Sequence, residues 1–163
     1  KAATRIHAYG TIDELNALLG LCLCERDLPE ALRHPLQRCQ QMLFHLGADL
    51  ATPLDTSAAT QRIVDDHVRE LQEWIDALEP TLPPQQSFLI PAGSKTASLL
   101  HLARTVCRRA ERFIVALSKE EDINDRALIY TNRLSDYLFL AARSANIAAG
   151  IVETPVWYDD EAA

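Results

Sequence analysis

Apolar residues recur along the chain at the three- and four-residue spacing that is typical of amphipathic helices. In the clearest segment, the regular spacing begins near Pro35 and the predicted helix ends before Pro53. A strict 4-3-4-3-4 spacing joins its apolar positions Leu32, Leu36, Cys39, Leu43, Leu46 and Leu50.

An earlier segment runs toward Cys24, and Thr11 with Glu14 predicts a capping box at its start. Its apolar positions are Ile12, Leu15, Leu19 and Cys22. Both patterns predict a helix with one buried face.

A third helical segment stops at Pro80, and the connection from Pro80 to Ser94 that follows it is the one long stretch without helical spacing. The apolar positions of this third segment are Val64, Val68, Leu71, Ile75 and Leu78. The connection is rich in proline, which disfavours a helix, and it is unusually apolar around Phe88. Long loops inside compact domains often carry function, so this loop and Phe88 are candidates for a site.

A fourth segment, from Lys95 to about Lys119, shows two helical faces at once. Its apolar stripe consists of Leu99, Ala103, Val106, Ala110, Phe113 and Leu117. On the opposite side Arg104, Arg108 and Glu111 align with one another, and Arg109 and Arg112 flank them. The pattern predicts a core helix whose second face is strongly positive, although an ordinary solvated face would show the same residues.

A fifth segment, from near Asn124 to Ala149, repeats this two-faced design and ends at Gly150, the residue expected just past a helix. Its core stripe is Leu134, Leu138, Ala141, Ala145 and Ala148. Its opposite face carries Asn132, Asp136, Phe139, Arg143 and Asn146. Two such helices in one small protein predict one face packed inside the subunit and a second, polar face that contacts something else.

Composition agrees with an all-α protein of helices packed on helices. The 163 residues predict a single domain spanning 1–163, and 48% of them are hydrophobic but only 6% aromatic. No alternating strand pattern competes with the helical segments. The net charge of -7 argues against a general nucleic-acid binder, which needs a broad basic surface. A local arginine cluster on an acidic protein instead suggests a small polyanion such as a nucleoside triphosphate.

The four cysteines show no paired C-x-x-C spacing and mostly fall on apolar helical positions, which predicts buried reduced thiols and a reducing compartment. These residues are Cys22, Cys24, Cys39 and Cys107. No apolar run approaches the length of a membrane span. We therefore expect a soluble intracellular protein with no membrane and no nucleic acid among its partners.

Several familiar kinds of site are missing from the sequence. A di-iron bundle needs Glu-x-x-His pairs, and no glutamate here has a histidine at the third following position. There is no Walker A sequence, no G-x-G-x-x-G and no His-x-x-x-His pair, and the serines lack a recognisable base partner. We predict no protein-bound metal. An arginine cluster, polar side chains including Asp13, Asn132 and Asp136, and an apolar Phe88 remain, and this set fits an anionic nucleotide beside a flat, apolar partner.

Five stretches of the chain resemble the PduO-type ATP:cob(I)alamin adenosyltransferases, in family order and over nearly the whole chain. They are AYGTIDELNALLG (8–20), LFHLGADLA (43–51), FLIPAGS (88–94), LHLARTVCRRAER (100–112) and NRLSDYLFLAAR (132–143). The resemblance implies a five-helix bundle with a ferritin-like up-down arrangement that forms a homotrimer with active sites between subunits. It also implies transfer of the 5′-deoxyadenosyl group of ATP to the cobalt of a reduced corrinoid, with release of triphosphate.

The resemblance assigns roles to individual residues. By the family pattern Arg108 contacts the triphosphate, Arg104 pairs with Asp13 across the subunit interface, and Asn132 with Glu111 positions the nucleotide. Asp136 supports the site, and Phe88 is the apolar wall under the corrin. Members of the family carry a Gly/Thr-rich ATP-binding segment before the point where this sequence starts, so we expect that segment to be missing or truncated here. The basic positions that match the family ahead of that AYG motif are Lys1 and Arg5. The family's usual second loop glycine is Ala92 in this chain.

The same resemblance implies ATP, Mg²⁺ and cobalamin as the small molecules of the reaction, with a corrinoid reductase and a B12-dependent enzyme as further partners. It places the protein in the bacterial cytoplasm, or in the mitochondrial matrix if the source is a eukaryote. Two alternatives stay open. A non-catalytic carrier or sensor of corrinoid and ATP would use the same helical trimer, and a purely structural helical oligomer would use the arginines to bridge subunits.

Overall fold

The structure, a computed structural model, describes residues 2–157 and consists of helices joined by short turns and one long loop. The helices are α1 (Ala2–Cys24), α2 (Glu30–Ala51), α3 (Asp65–Leu78), α4 (Lys95–Ser118) and α5 (Asp125–Ala148), and a short 3-10 turn (Glu79–Thr81) follows α3. Within the described residues the β-structure is an isolated bridge between Leu89 and Pro155. The predicted all-α class and the five predicted helices are therefore confirmed.

Ion pairs at the two ends of the bundle show how the helices run. Arg5 of α1 pairs with Glu121 just after α4, while Lys95 at the start of α4 pairs with Glu25 just after α1. These two helices are therefore antiparallel, and the short turn after α4 makes α5 antiparallel to α4 as well. We call the end that holds Asp49 the Asp49 end, and the opposite end, which holds the loop from Pro80 to Ser94, the loop end.

The predicted apolar stripes of α1 and α2 are confirmed, since every apolar position named for them is buried. In α4 the buried face is rotated by about one residue from the predicted stripe. The residues that are completely covered are Thr96, Ala97, Leu100, Ala103, Cys107, Ala110, Ile114 and Leu117. Leu99 and Phe113 are only half-buried, because α1 and α5 both pack on α4 and the covered face points between them. In α5 the predicted core residue Ala148 is exposed in the last turn.

Two predicted helix starts are wrong. Helix α1 begins at Ala2, so Thr11 lies inside it and donates its hydroxyl to the His7 carbonyl at 2.7 Å instead of capping a first turn. Helix α2 begins at Glu30 and includes Pro35 in its second turn. The expected end of α5 is confirmed, because Gly150 follows it with a φ of 67°, a conformation that favours glycine.

A buried carboxylate joins three elements at the Asp49 end. Asp49 of α2 is 3% exposed and accepts hydrogen bonds from Arg62 Nη1 at 2.7 Å and from the Ile63 N–H at 2.9 Å. It also accepts one from Asn124 Nδ2, at 2.6 Å, and Asn124 is the N-cap of α5. We call these four residues the Asp49 cluster. Its carboxylate is fully used in holding the loop before α3 and the start of α5 against α2.

Candidate functional site

The polar side chains that were predicted on α4 and α5 meet along one surface of the bundle. Because α4 and α5 are antiparallel neighbours, residues at helical spacing on each helix face the same groove. We call this surface the α4–α5 face. It consists of His101, Arg104, Arg108 and Glu111 from α4 and of Asn132, Asp136 and Phe139 from α5.

The acidic part of the α4–α5 face is partly paired. Asn132 Nδ2 donates to Glu111 Oε1 at 2.8 Å, so the structure brings together the two residues that were predicted to act as a pair. Asp136 lies one turn further along α5 and forms an ion pair with Arg133 at 3.2 Å. Burial raises the pKa of the Asp136 carboxyl above its usual value, Arg133 opposes that shift, and the negative charge of Glu111 adds to it.

The basic part of this face has no carboxylate partner within residues 2–157. The Arg104 guanidinium lies over the Phe139 ring, 6.0 Å from its centroid, and its buried Nε has no hydrogen-bond partner in the described part of the chain. The side chain of Arg108 is exposed and makes no ion pair or hydrogen bond with those residues. Burial, followed by the like charge of Arg108, lowers the pKa of Arg104. Two neighbouring cations with unused donors form a site for an anion.

A buried histidine lies beside these arginines. His101 is 3% exposed, its ring centroid is 6.1 Å from that of Phe139, and its Nδ1 has no partner among the described residues. Burial and the charge of Arg104 lower its pKa to about 4. The imidazole is therefore neutral at physiological pH and adds no further charge to the face.

The predicted cluster of four arginines is divided between two sides of α4. Arg109 forms an ion pair with Glu14 of α1, and Arg112 Nη1 donates to the Arg108 carbonyl at 3.1 Å. Both line a groove of about 470 Å³ between α1 and α4 whose other walls include Leu21. Arg109 is turned away from Arg104 and Arg108 toward α1, because it lies one residue step around the helix from Arg108. Arg112 lies one turn after Arg108 and bonds to the helix backbone there.

Two predicted residues lie away from the α4–α5 face within one chain. Asp13 is exposed on α1, and no ion pair joins it to Arg104 within the described residues. Arg5 forms an ion pair with Glu121 at 2.8 Å and donates to the Leu50 carbonyl, so its contacts are at the Asp49 end. Lys1 lies outside the described residues.

At the loop end, the ring of Phe88 is exposed to solvent while its backbone is held by hydrogen bonding. The side chain is 72% exposed, but the Phe88 carbonyl accepts from the Val156 N–H at 2.8 Å. Ile90 N–H donates to the Thr154 carbonyl at the same distance, and these two bonds flank the bridge at Leu89. Nothing in the sequence spacing predicted this pairing with residues 154–156, because it joins segments far apart in the chain.

The far end of the loop is held by α5. Asn146 Nδ2 donates to the Ala92 carbonyl at 3.0 Å, and its Oδ1 accepts from the Ser94 N–H at 2.9 Å. Between them Gly93 has a φ of 121°, and a Cβ there would collide with the Asn146 side chain. The turn depends on Gly93, so Ala92 in place of the family's glycine leaves it intact.

A cavity of about 370 Å³ connects the loop to the α4–α5 face. Asp136, Phe139 and Arg143 line one wall, and the start of the loop at Pro83 and Pro84 lines another. Within residues 2–157 no group of three or more His, Cys, Asp or Glu side chains is arranged to hold a metal ion. None of the described helices is both long and apolar enough to cross a membrane. The geometry therefore offers an anion-binding surface on the α4–α5 face and, at the loop end, an exposed apolar ring.

The cysteines of the described chain are free thiols, and Cys24 is the exposed one. Burial raises the pKa of Cys22 and of Cys39 to about 12. At that pKa the thiolate that would bind a metal or attack a substrate is absent at neutral pH. The buried thiols are packing residues.

Comparison with known proteins finds one matching family and close relatives. Residues 1–145 match the family described as cobalamin adenosyltransferase. A corrinoid adenosyltransferase of Bacillus subtilis is 46% identical over 154 residues, which cover 93% of this chain and 79% of the relative. A cobalamin adenosyltransferase of Cupriavidus metallidurans is 42% identical over 150 residues, covering 92% and 79%.

Solved structures agree with the sequence relatives. A variant PduO-type ATP:corrinoid adenosyltransferase from Lactobacillus reuteri, complexed with cobalamin and ATP, superposes with a TM-score of 0.88 at 40% identity. The match covers 95% of this chain and 87% of that one. Another variant of the Lactobacillus reuteri protein, complexed with ATP, superposes with a TM-score of 0.85 at 40% identity over 94% of this chain and 87% of that chain.

Proposed function

The chain belongs to the cobalamin adenosyltransferase family, and on that premise we propose that it transfers the 5′-deoxyadenosyl group of ATP to the cobalt of a reduced corrinoid. In this reaction a Co(I) centre attacks C5′ of ATP. The cobalt–carbon bond forms with the electron pair of the metal, the bond between C5′ and the phosphate oxygen breaks, and triphosphate leaves with that pair. The products are an adenosylated corrinoid and inorganic triphosphate.

The observation that carries the proposal is the pair of cations on the α4–α5 face. Arg108 is exposed and Arg104 has a buried unpartnered Nε, and neither has a carboxylate partner within the described residues. A triphosphate leaving group gains negative charge on its bridging oxygen, and preorganised guanidinium donors stabilise that charge. Arg108 is the residue we assign to the triphosphate.

Neighbouring residues would orient the nucleotide. The Asn132 amide, held by Glu111 at 2.8 Å, offers a fixed donor and acceptor pair beside Arg108. Asp136, held by Arg133, supports the same surface from the next turn of α5. Lys1 and Arg5 are proposed as further basic contacts. For Arg5 this requires the triphosphate to compete with its present partners, Glu121 and the Leu50 carbonyl.

We assign Phe88 to the corrinoid. Its ring is 72% exposed, and backbone hydrogen bonds join its segment of the loop to residues 154–156. An exposed ring on a fixed backbone suits an apolar wall under a flat macrocycle. An apolar group at the lower axial position disfavours a ligand that stabilises Co(II), and this eases reduction to Co(I). The Co(I) nucleophile needs no protein base, so the work of the chain is to orient C5′, neutralise triphosphate and exclude water.

We place the complete site between subunits of a homotrimer. Asp13 is exposed on α1 and Arg104 lacks a carboxylate within its own described chain, so a neighbouring subunit's α1 would supply the missing partner. The groove between α1 and α4, about 470 Å³ and lined by Leu21 and Leu102, offers an apolar surface for such a contact.

Further parts of the proposal concern the cellular setting. Mg²⁺ would enter on the phosphates of ATP, because it prefers phosphate oxygens and the described residues form no dedicated cage. A corrinoid reductase would supply the electron, and a B12-dependent enzyme would receive the product. We assign the reaction to the bacterial cytoplasm, or to the mitochondrial matrix if the source is a eukaryote.

Incubating the protein with ATP, Mg²⁺ and chemically reduced cobalamin tests the proposal. We expect the corrinoid spectrum to change to that of the adenosylated form with one triphosphate released per turnover, and Arg108→Ala to slow both strongly. Arg69→Ala removes an exposed arginine of α3 that pairs only locally with Asp66, and it should behave as the parent. Tight binding of both ligands without triphosphate release would instead identify a carrier, and dissociation of the trimer by Arg108→Ala would identify a structural role.

A further inference from the structure

Residues 151–157 form a strap across the loop that displays Phe88. The strap leaves α5 at Gly150, and the Ile151 N–H donates to the Asn146 carbonyl at 2.9 Å. It then pairs with the loop through the two backbone bonds of Phe88 and Ile90. Because Phe88 carries its ring into solvent, this backbone pairing, and not packing of the ring, determines where the ring stands.

A buried ion pair ties the strap to α5. Arg143 Nε donates to Glu153 Oε2 at 2.9 Å, and the two side chains are 6% and 13% exposed. The same guanidinium donates from Nη2 to the Pro83 carbonyl at 2.8 Å, at the start of the loop. One side chain therefore connects α5, the strap and the loop.

The cost of this arrangement suggests that it serves more than stability. Burying two charges carries a desolvation penalty that their attraction often fails to exceed, so an ion pair of this kind is weak evidence for net stabilisation. What it does provide is one defined geometry for the three segments that meet at Arg143. Arg143 also lies 5.9 Å from the centroid of Phe139, whose ring carries Arg104 at 6.0 Å, so the pair is continuous with the α4–α5 face.

We infer that Arg143 and Glu153 are positioning residues for the corrinoid step: their ion pair holds the strap on the loop and so fixes Phe88 relative to the α4–α5 face. The inference rests on the proposed function, in which Phe88 contacts the corrinoid. It adds residues that act on the corrinoid through Phe88, and it makes no demand on ATP. Breaking the pair should therefore affect the two substrates unequally.

Two variants separate this role from a loss of folding. Glu153→Gln removes the negative charge with little change in shape, and Val156→Pro removes the N–H that donates to the Phe88 carbonyl but leaves the ion pair in place. Glu70→Gln is the matched control, because Glu70 pairs with Arg38 at 3.1 Å between α2 and α3, away from the loop.

We expect both test variants to lower kcat/KM for cobalamin by between about tenfold and a hundredfold, as a misplaced contact group does, while KM for ATP stays within about twofold of the parent. With cob(II)alamin and ATP bound, the electron paramagnetic resonance spectra of both variants should show a smaller fraction of Co(II) that lacks a lower axial ligand. In the protein without ligands, hydrogen exchange at the Ile90 amide should be faster in both variants and unchanged in Glu70→Gln.

The outcomes distinguish the inference from the function beneath it. Test variants that match Glu70→Gln in cobalamin kcat/KM, or that lose activity with unchanged exchange at Ile90, overturn the positioning role. An equal loss for ATP and cobalamin also overturns it, because a general structural defect moves both. A parent protein that forms no adenosylated corrinoid refutes the proposed function, and the exchange at Ile90 then still decides whether the ion pair holds the strap.

Discussion

The Asp49 cluster and the α4–α5 face both gather polar side chains at places where helices meet, but they end in opposite states. At the Asp49 cluster a buried carboxylate accepts from Arg62, Ile63 and Asn124, all within 2.9 Å. On the α4–α5 face Arg104 and Arg108 are left without a carboxylate within the described residues. A satisfied buried network stabilises the fold, whereas unused donors on a fixed scaffold are available to a ligand. The contrast separates a structural polar cluster from a binding site without reference to any relative.

The largest effect should come from breaking the Asp49 cluster. Asp49→Ala leaves Arg62 and the Ile63 and Asn124 donors without their acceptor at a buried point, so we expect the free energy of unfolding to fall by about 3 to 5 kcal/mol. Urea unfolding measures this, and activity per folded molecule should be unchanged. A stability loss below about 1 kcal/mol would mean that water replaces the carboxylate easily.

The opposite pattern should follow from Arg108→Ala on the α4–α5 face. Removing one of two neighbouring cations breaks no ion pair within the described chain, so the unfolding free energy should stay within about 0.5 kcal/mol of the parent. Loss of a donor to the leaving group should lower kcat/KM for ATP by about 10²- to 10³-fold. Steady-state kinetics and urea unfolding on one preparation test both halves. A less stable but fully active variant would place Arg108 with the structural residues.

His101 gives the α4–α5 face a dependence on pH. Its pKa falls from a usual 6.5 to about 4 in the folded protein, so the unfolded chain takes up the proton first as the pH is lowered. The contribution of the neutral His101 to folding stability is therefore fully present above pH 6.5 and is lost progressively as the pH falls toward 4. At pH 4.5 the protonation of His101 in the unfolded chain should lower the free energy of unfolding by about 2 to 3 kcal/mol.

Comparing the parent with His101→Gln isolates this contribution from the other acid-sensitive groups. The difference in unfolding free energy between pH 7.5 and pH 4.5 should be smaller in the variant by that amount. Equal pH dependence in both proteins would show that His101 is protonated as easily in the folded state as in the unfolded one.

The smallest effect is expected from an exposed ion pair at the same end as the Asp49 cluster. Arg126 and Asp65 are 42% and 67% exposed, and solvent screens such pairs strongly. Asp65→Asn should change the unfolding free energy by less than about 0.5 kcal/mol. A result as large as that of Asp49→Ala would show that position at this end, and not burial, decides the contribution.

Much of the fold was readable from local spacing. The stripe of Leu36, Cys39 and Leu43 and its continuation predicted α2, and Gly150 marked the end of α5, because both features depend on residues within one or two turns. The predicted apolar stripe of α4 differs from the buried face by about one residue. Two helices, α1 and α5, cover α4, and the spacing within one segment does not show where they pack. The capping box at Thr11 was wrong because the helix continues upstream of a residue that would also suit an N-cap.

The candidate site divides in the same way. Spacing placed Arg104, Arg108 and Glu111 on one face, and the Asn132–Glu111 contact confirms that the faces of α4 and α5 meet. Spacing also grouped Arg109 with them, although Glu14 of α1 holds it on another side. The residue that sequence reasoning passed over is Arg143, which looked like one more polar position of α5.

The sequence by itself determined the helices, the all-α class and the family, because periodicity and contiguous motifs are properties of short segments. The tertiary structure decided which charges are satisfied. Arg143 meets Glu153 and Pro83, and Asp49 meets Arg62, through contacts that depend on how loops return to the bundle. The spacing of residues along one helix carries no record of those returns, so the distinction between a paired charge and an available one appears only when the chain is folded.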